Sequence, residues 1–121
     1  MARNWIAAVA MIILAAPGMA IAHTMVKSVS VADGAKLTTA PKEVTVMMGH
    51  PVGVGGVSLA TAAGKDVPLS WKPSRAVTES FTVPLPKLAP DTYRFSWRTI
   101  SDDGHVMNGG VSFTVVRPAA R

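Results

Sequence analysis

Three histidines and one aspartate carry most of the chemistry that this sequence offers: His23, His50, Asp103 and His105. Cysteine is absent from the 121 residues, which excludes thiol nucleophiles and thiolate metal sites. Asp103-Gly104-His105 sets a carboxylate and an imidazole at i and i+2. Such positions project to the same side of an extended segment, and the glycine between them lets the backbone turn tightly. The pair reads either as two donors converging on one ion or as a plain Asp-Gly turn followed by a solvated histidine. His50 closes an apolar stretch in MMGHPV, where the following proline favours an extended or turn conformation. It is either a third imidazole near the site or a polar residue at a strand end.

His23 draws its meaning from what precedes it. In residues 1–22 the only charged side chain is Arg3, an apolar run covers 5–16, and Pro17-Gly18 breaks any helix. Ala20 and Ala22 then form an A-x-A cleavage site. The apolar run is shorter than the roughly 20 residues of a transmembrane helix, so 1–22 reads as a cleaved secretory signal, with an uncleaved membrane anchor as the alternative. The mature domain is then 23–121, beginning at His23 with a free α-amine beside its own imidazole. Amine and Nδ1 hang on one Cα and can close a six-membered chelate ring around one metal ion. An α-amine has a pKa of about 8, which makes it far easier to deprotonate than a lysine. Two nitrogens from one residue suit Cu(II), which heads the divalent affinity order and favours tetragonal N/O coordination.

Removing the signal leaves 99 residues with 11 basic and 7 acidic side chains, a net charge near +4. There is no basic run interleaved with aromatics, so nucleic-acid binding is not expected. A chain of this length makes one small domain. Without disulfides, an apolar core alone must hold it together.

The positioning elements read as strands. Tyr93, Phe95 and Trp97 alternate with Arg94, Ser96 and Arg98, and Val111, Phe113 and Val115 alternate with Ser112 and Thr114. Val44, Val46 and Met48 share a further face, giving a strand over 43–49. Additional strands are expected near 25–31, 55–61, 66–71 and 77–83. Turn residues punctuate them at Asp33-Gly34, Ala40-Pro41, Gly55-Gly56, Gly64-Lys65, Pro73-Ser74, Pro90-Asp91 and Asp103-Gly104. About seven short strands at this spacing predict an all-β, antiparallel Greek-key sandwich with very little helix.

Four methionines remain after the signal, Met25, Met47, Met48 and Met107, and they are not clustered as a thioether site for Cu(I) would be. Core packing accounts for most of them. No G-x-S-x-G element is present, no acid pair sits in a hydrolase context, and nothing marks a substrate cleft.

Taken together, the histidine directly after the signal, the Tyr-x-Phe-x-Trp-Arg strand at 93–98, and the Ser-x-Asp-Gly-His segment at 101–105 followed by SFTV resemble the CopC family of periplasmic copper-resistance proteins. The likeness extends over the mature chain, including VADGAKLTTAPKEVTV and LAPDTYRFSWRTISDDGHVMNGGVSFTVV. It implies an immunoglobulin- or cupredoxin-like barrel or sandwich that handles copper in the periplasm. It also implies a Cu(II) site of the histidine-brace type, with the amine and ring of His23 as one half, His105 as the other and Asp103 as the accompanying carboxylate. An integral membrane copper transporter of the CopD type is the partner that the resemblance implies. The sequence departs from the family in three places. His50 stands where some members carry glutamate, residues 60–76 hold no methionine-rich Cu(I) loop, and Val106 replaces a proline.

The expectation is a monomeric Cu(II) carrier or buffer that is not an enzyme. Its affinity should fall as pH drops through about 6.5, because the nitrogen donors must be unprotonated to bind. A copper-dependent redox enzyme using the same brace and a metal-free sandwich serving as an interaction module are the alternatives.

Overall fold

The computed structural model describes residues 26–117. Six strands follow in order: β1 (Val26–Val29), β2 (Ala35–Leu37), β3 (Glu43–Thr61), β4 (Ser74–Pro84), β5 (Asp91–Ile100) and β6 (Val106–Val115). They form one sheet, ordered β1-β3-β5-β6-β2, with β4 also on β3. No helix is found among the described residues.

β3 runs for 19 residues and serves both halves of the sheet. Its first part pairs with β1 at Val46–Met48 and with β4 from Glu43, whereas its second part, Gly53–Thr61, pairs with β5. The sheet thereby curls over a single core. Inward side chains from both parts meet there, Val44, Val46, Phe81 and Val83 with Leu59, Phe95, Trp97, Val111 and Phe113. Along β5 the buried residues are Tyr93, Phe95, Trp97 and Thr99, the period-two pattern expected of a strand with one wet face. Tyr93 stacks on Phe113 with ring centroids 5.6 Å apart, and Phe95 lies 5.9 Å from Trp97. The Tyr93 hydroxyl donates to the Ala89 carbonyl at 2.6 Å and so ties the connection before β5 to the core.

Several expectations are corrected. There are six strands, not seven, so the described residues form no seven-stranded Greek key. The sheet is not wholly antiparallel either, because β2 lies parallel to β6. The segments expected as separate strands over 43–49 and 55–61 are one strand. Gly55-Gly56 marks a register shift between Val54 and Gly56 rather than a turn. Glycine within a strand signals a bulge as readily as a turn, and here both of its neighbours are paired. Residues 66–71 contribute only an isolated bridge, Ala60 to Asp66, while 35–37 form a strand that alternation alone does not reveal.

A second irregularity bears on the site. Between the pairs Met47↔Ser80 and Val52↔Thr78, β3 advances five residues while β4 advances two. Gly49, His50 and Pro51 therefore bow outward and are exposed. Proline is tolerated there because no ladder partner requires its missing N–H.

Close packing against Trp97 gives a direct test of the core. Gly109 pairs with Trp97, and a Cβ at Gly109 would stand 2.6 Å from indole Cε2 and Cζ2. Gly109→Ala must displace the indole, with an expected loss of about 1–3 kcal/mol. This would be read as a lower urea midpoint at unchanged slope.

Candidate metal centre

The β5–β6 ladder ends at the pair Ile100↔Val106, and residues 101–105 close the hairpin. The Ser101 N–H donates to the His105 carbonyl at 2.9 Å, and the Gly104 N–H donates to the Ser101 carbonyl at 2.9 Å. Gly104 has φ +89°, in the left-handed region where a side chain is strained. This bend turns Asp103 back onto His105. Asp103 Oδ2 lies 2.8 Å from His105 Nδ1, while Oδ1 accepts from the His105 N–H at 3.2 Å and from the Ser101 hydroxyl. Facing an ionised carboxylate, Nδ1 of the neutral ring carries the hydrogen. The lone pair then sits on Nε2, the arrangement that makes histidine a good metal ligand. His105 and Asp103 side chains are 79% and 60% exposed, so the pair adds little to global stability. What it supplies is orientation.

The Ser101 hydroxyl, followed by the His105 N–H and then the His105 ring, lowers the Asp103 carboxyl from 3.8 to about 2. A depressed carboxyl contributes to the folded hairpin fully above its unfolded value and loses that contribution as pH falls through its folded value. Asp103 should accordingly titrate near 2, with the His105 amide shift following the same curve in an NMR titration. A midpoint at the ordinary 3.8 would mean that the carboxylate is not held.

Ser101 was not singled out by residue-type reasoning, although it belongs to the Ser-x-Asp-Gly-His segment. Its two-residue spacing from Asp103 was the available signal. Asp103 and His105 are brought together. His50 sits on the outward bow of β3, between Met48, which pairs with Val26, and Gly53, which pairs with Ile100 at the neck of the hairpin. By register, the start of β1, the His50 bow and the His105 hairpin all belong to one end of the molecule. His23 lies outside the described residues. Among those residues, Asp103, His105 and His50 complete no group of three or more acidic or histidine side chains able to hold a metal. Met48 is buried at 3% exposure, as core packing predicts, whereas Met47 is 43% exposed.

The family model of the CopC domain matches residues 26–116, the described fold almost end to end. The chain belongs to the CopC family. Among solved structures, it is similar to CopC from Methylosinus trichosporium OB3b, with 24% identity over 82% of this chain and 99% of that one and a TM-score of 0.66. That likeness establishes the fold. It is also similar to PcoC, a methionine-rich copper resistance protein from Escherichia coli, with 26% identity over 75% of this chain and 96% of that one at a TM-score of 0.57. No curated protein matches the chain. Within the CopC domain, the hairpin that holds Asp103 and His105 falls inside the matched residues and His23 falls before them.

Proposed function

We propose that this CopC-family protein binds Cu(II) in the periplasm and carries or buffers it, without catalysing a reaction. Copper is its cargo. His23, exposed as the first residue by signal cleavage, contributes its amine and ring nitrogen. His105 contributes the third nitrogen, Asp103 beside it is the accompanying carboxylate, and His50 is an additional imidazole donor. The protein works as a monomer, handing copper to or from a membrane transporter of the CopD type.

The observation that carries this reading is the Ser101–Asp103–His105 hydrogen-bond chain. It holds an exposed imidazole in one tautomer at the sheet end where β1 begins. A solvated turn histidine has no need of such a chain, whereas a ligand gains from it, because ligand orientation typically changes metal affinity 10- to 100-fold. The family membership and the similarity to a copper resistance protein point the same way.

Electron paramagnetic resonance of the Cu(II)-loaded exported protein tests it. Nitrogen hyperfine structure should report the His23 donors together with His105, and His105→Ala should remove one nitrogen from the pattern. A spectrum unchanged by that substitution would overturn the assignment.

A further inference from the structure

The outward face of β3, β5 and β6 sets two arginines among small and uncharged residues. By alternation it presents Gly56, Ser58 and Ala60 from β3, Arg94, Ser96, Arg98 and Ile100 from β5, and Val106, Asn108, Gly110 and Ser112 from β6. No acidic residue stands among them. Asp33 comes in at the β2 side, where its Oδ1 accepts from the Ser112 N–H at 2.8 Å, and Asp66 lies beyond Ala60 at the opposite edge. The absence of side chains at Gly55 and Gly56 opens a shallow groove of about 260 Å³, walled by Ser58, Ser96, Arg98 and Asn108.

Arg98 is the centre of this groove. A Cβ at Gly55 would stand 3.5 Å from Arg98 Cδ, which places the aliphatic stem of the arginine over the bare glycine backbone. Its guanidinium nevertheless has no hydrogen bond or ion pair among the described residues, and Arg94 reaches only the Ser112 hydroxyl at 3.3 Å. A stem already laid down surrenders less freedom when its head group binds, and a guanidinium presents a fork that fits a carboxylate with two parallel bonds. Where the face approaches the hairpin, cross-strand neighbours Ile100 and Val106 are 41% and 54% exposed. Asn108 is three residues from His105, about 10 Å of extended chain.

We propose that this face docks a protein partner that inserts an acidic side chain against Arg98, flanked by Asn108, Ser58 and Ser96, and covers Ile100 and Val106 with an apolar residue. A partner seated there would lie beside the His105 hairpin. Charge complementarity selects the occupant, since the Arg98 guanidinium has no ion pair among the described residues, while Asp33 is held by the Ser112 N–H and Asp103 by the His105 hairpin. Two arginines set among small uncharged residues provide a point of recognition, not the lysine-rich plane that an anionic lipid surface draws on.

The test contains no copper, so a failure of docking and a failure of the copper reading are seen separately. The ¹⁵N-labelled exported protein is titrated with an acetylated, amidated hexapeptide of alternating glutamate and serine. The glutamine–serine counterpart and phosphatidylglycerol vesicles are run in parallel. Saturable shifts are expected at Gly55, Gly56, Ser58, Ser96, Arg98 and Asn108 with the glutamate peptide and not with the glutamine one. Arg98→Gln should weaken the interaction about fivefold or more, the value of one good charge-assisted pair, and Lys65→Gln should leave it unchanged. Shifts spread evenly over the lysines, an undiminished response in Arg98→Gln, or stronger engagement of the same residues by vesicles would each overturn the proposal.

Discussion

One alanine added ahead of His23 is expected to weaken Cu(II) binding by more than about a hundredfold, beyond what loss of an orienting residue costs. The extension turns the His23 amine into a peptide nitrogen and moves the new terminal amine one residue away. The six-membered ring through amine and Nδ1 can then no longer close. Competition against a chelator of known strength reads the loss. The same extension should leave the urea midpoint unmoved, because it alters none of the core residues between Val31 and Val115. Equal copper affinity in the extended and unextended proteins would remove His23 from the site.

Phe95→Ala carries the largest expected cost in stability. Phe95 is fully buried, is flanked in register by Leu59 and Val111, and lies against the Trp97 ring. Truncating a buried phenylalanine costs about 3–5 kcal/mol, a large share of the roughly 5–15 kcal/mol that holds a domain folded. With no cysteine in the chain, no disulfide offsets the loss. Equilibrium urea unfolding should show a strongly lowered midpoint or a protein already partly unfolded in buffer. A loss below about 1.5 kcal/mol, typical of shape-conserving swaps, would mean that the core closes differently around β5.

Much of this core is legible in the residue order. β5 and β6 bury one face and wet the other, so Tyr93, Phe95 and Trp97, and again Val111, Phe113 and Val115, declare their side at every second position. The turns at Gly34, Gly64 and Gly104 were equally legible, and each has positive φ. The failures share a cause. Gly55-Gly56 carries the same residue signal whether the chain reverses or bulges, and only the pairing of β3 with β4 on one side and β5 on the other decides between them. β2, with three residues, lies parallel to a strand about 78 residues away in sequence, and no local pattern encodes so distant a partner.

The site divides along the same line. The proposed donors, an imidazole that signal cleavage would expose and an Asp-x-His pair, are properties of residue type and spacing, and so is the period-two core beside them. Tertiary structure decided that Ser101 anchors the carboxylate, that Asp103 faces the His105 ring, and that the β1 start, the His50 bow and the hairpin belong to one end of the sheet. Side-chain chemistry is local and can be read one residue at a time. Convergence depends on strand register, which is set by the burial of a whole face at once.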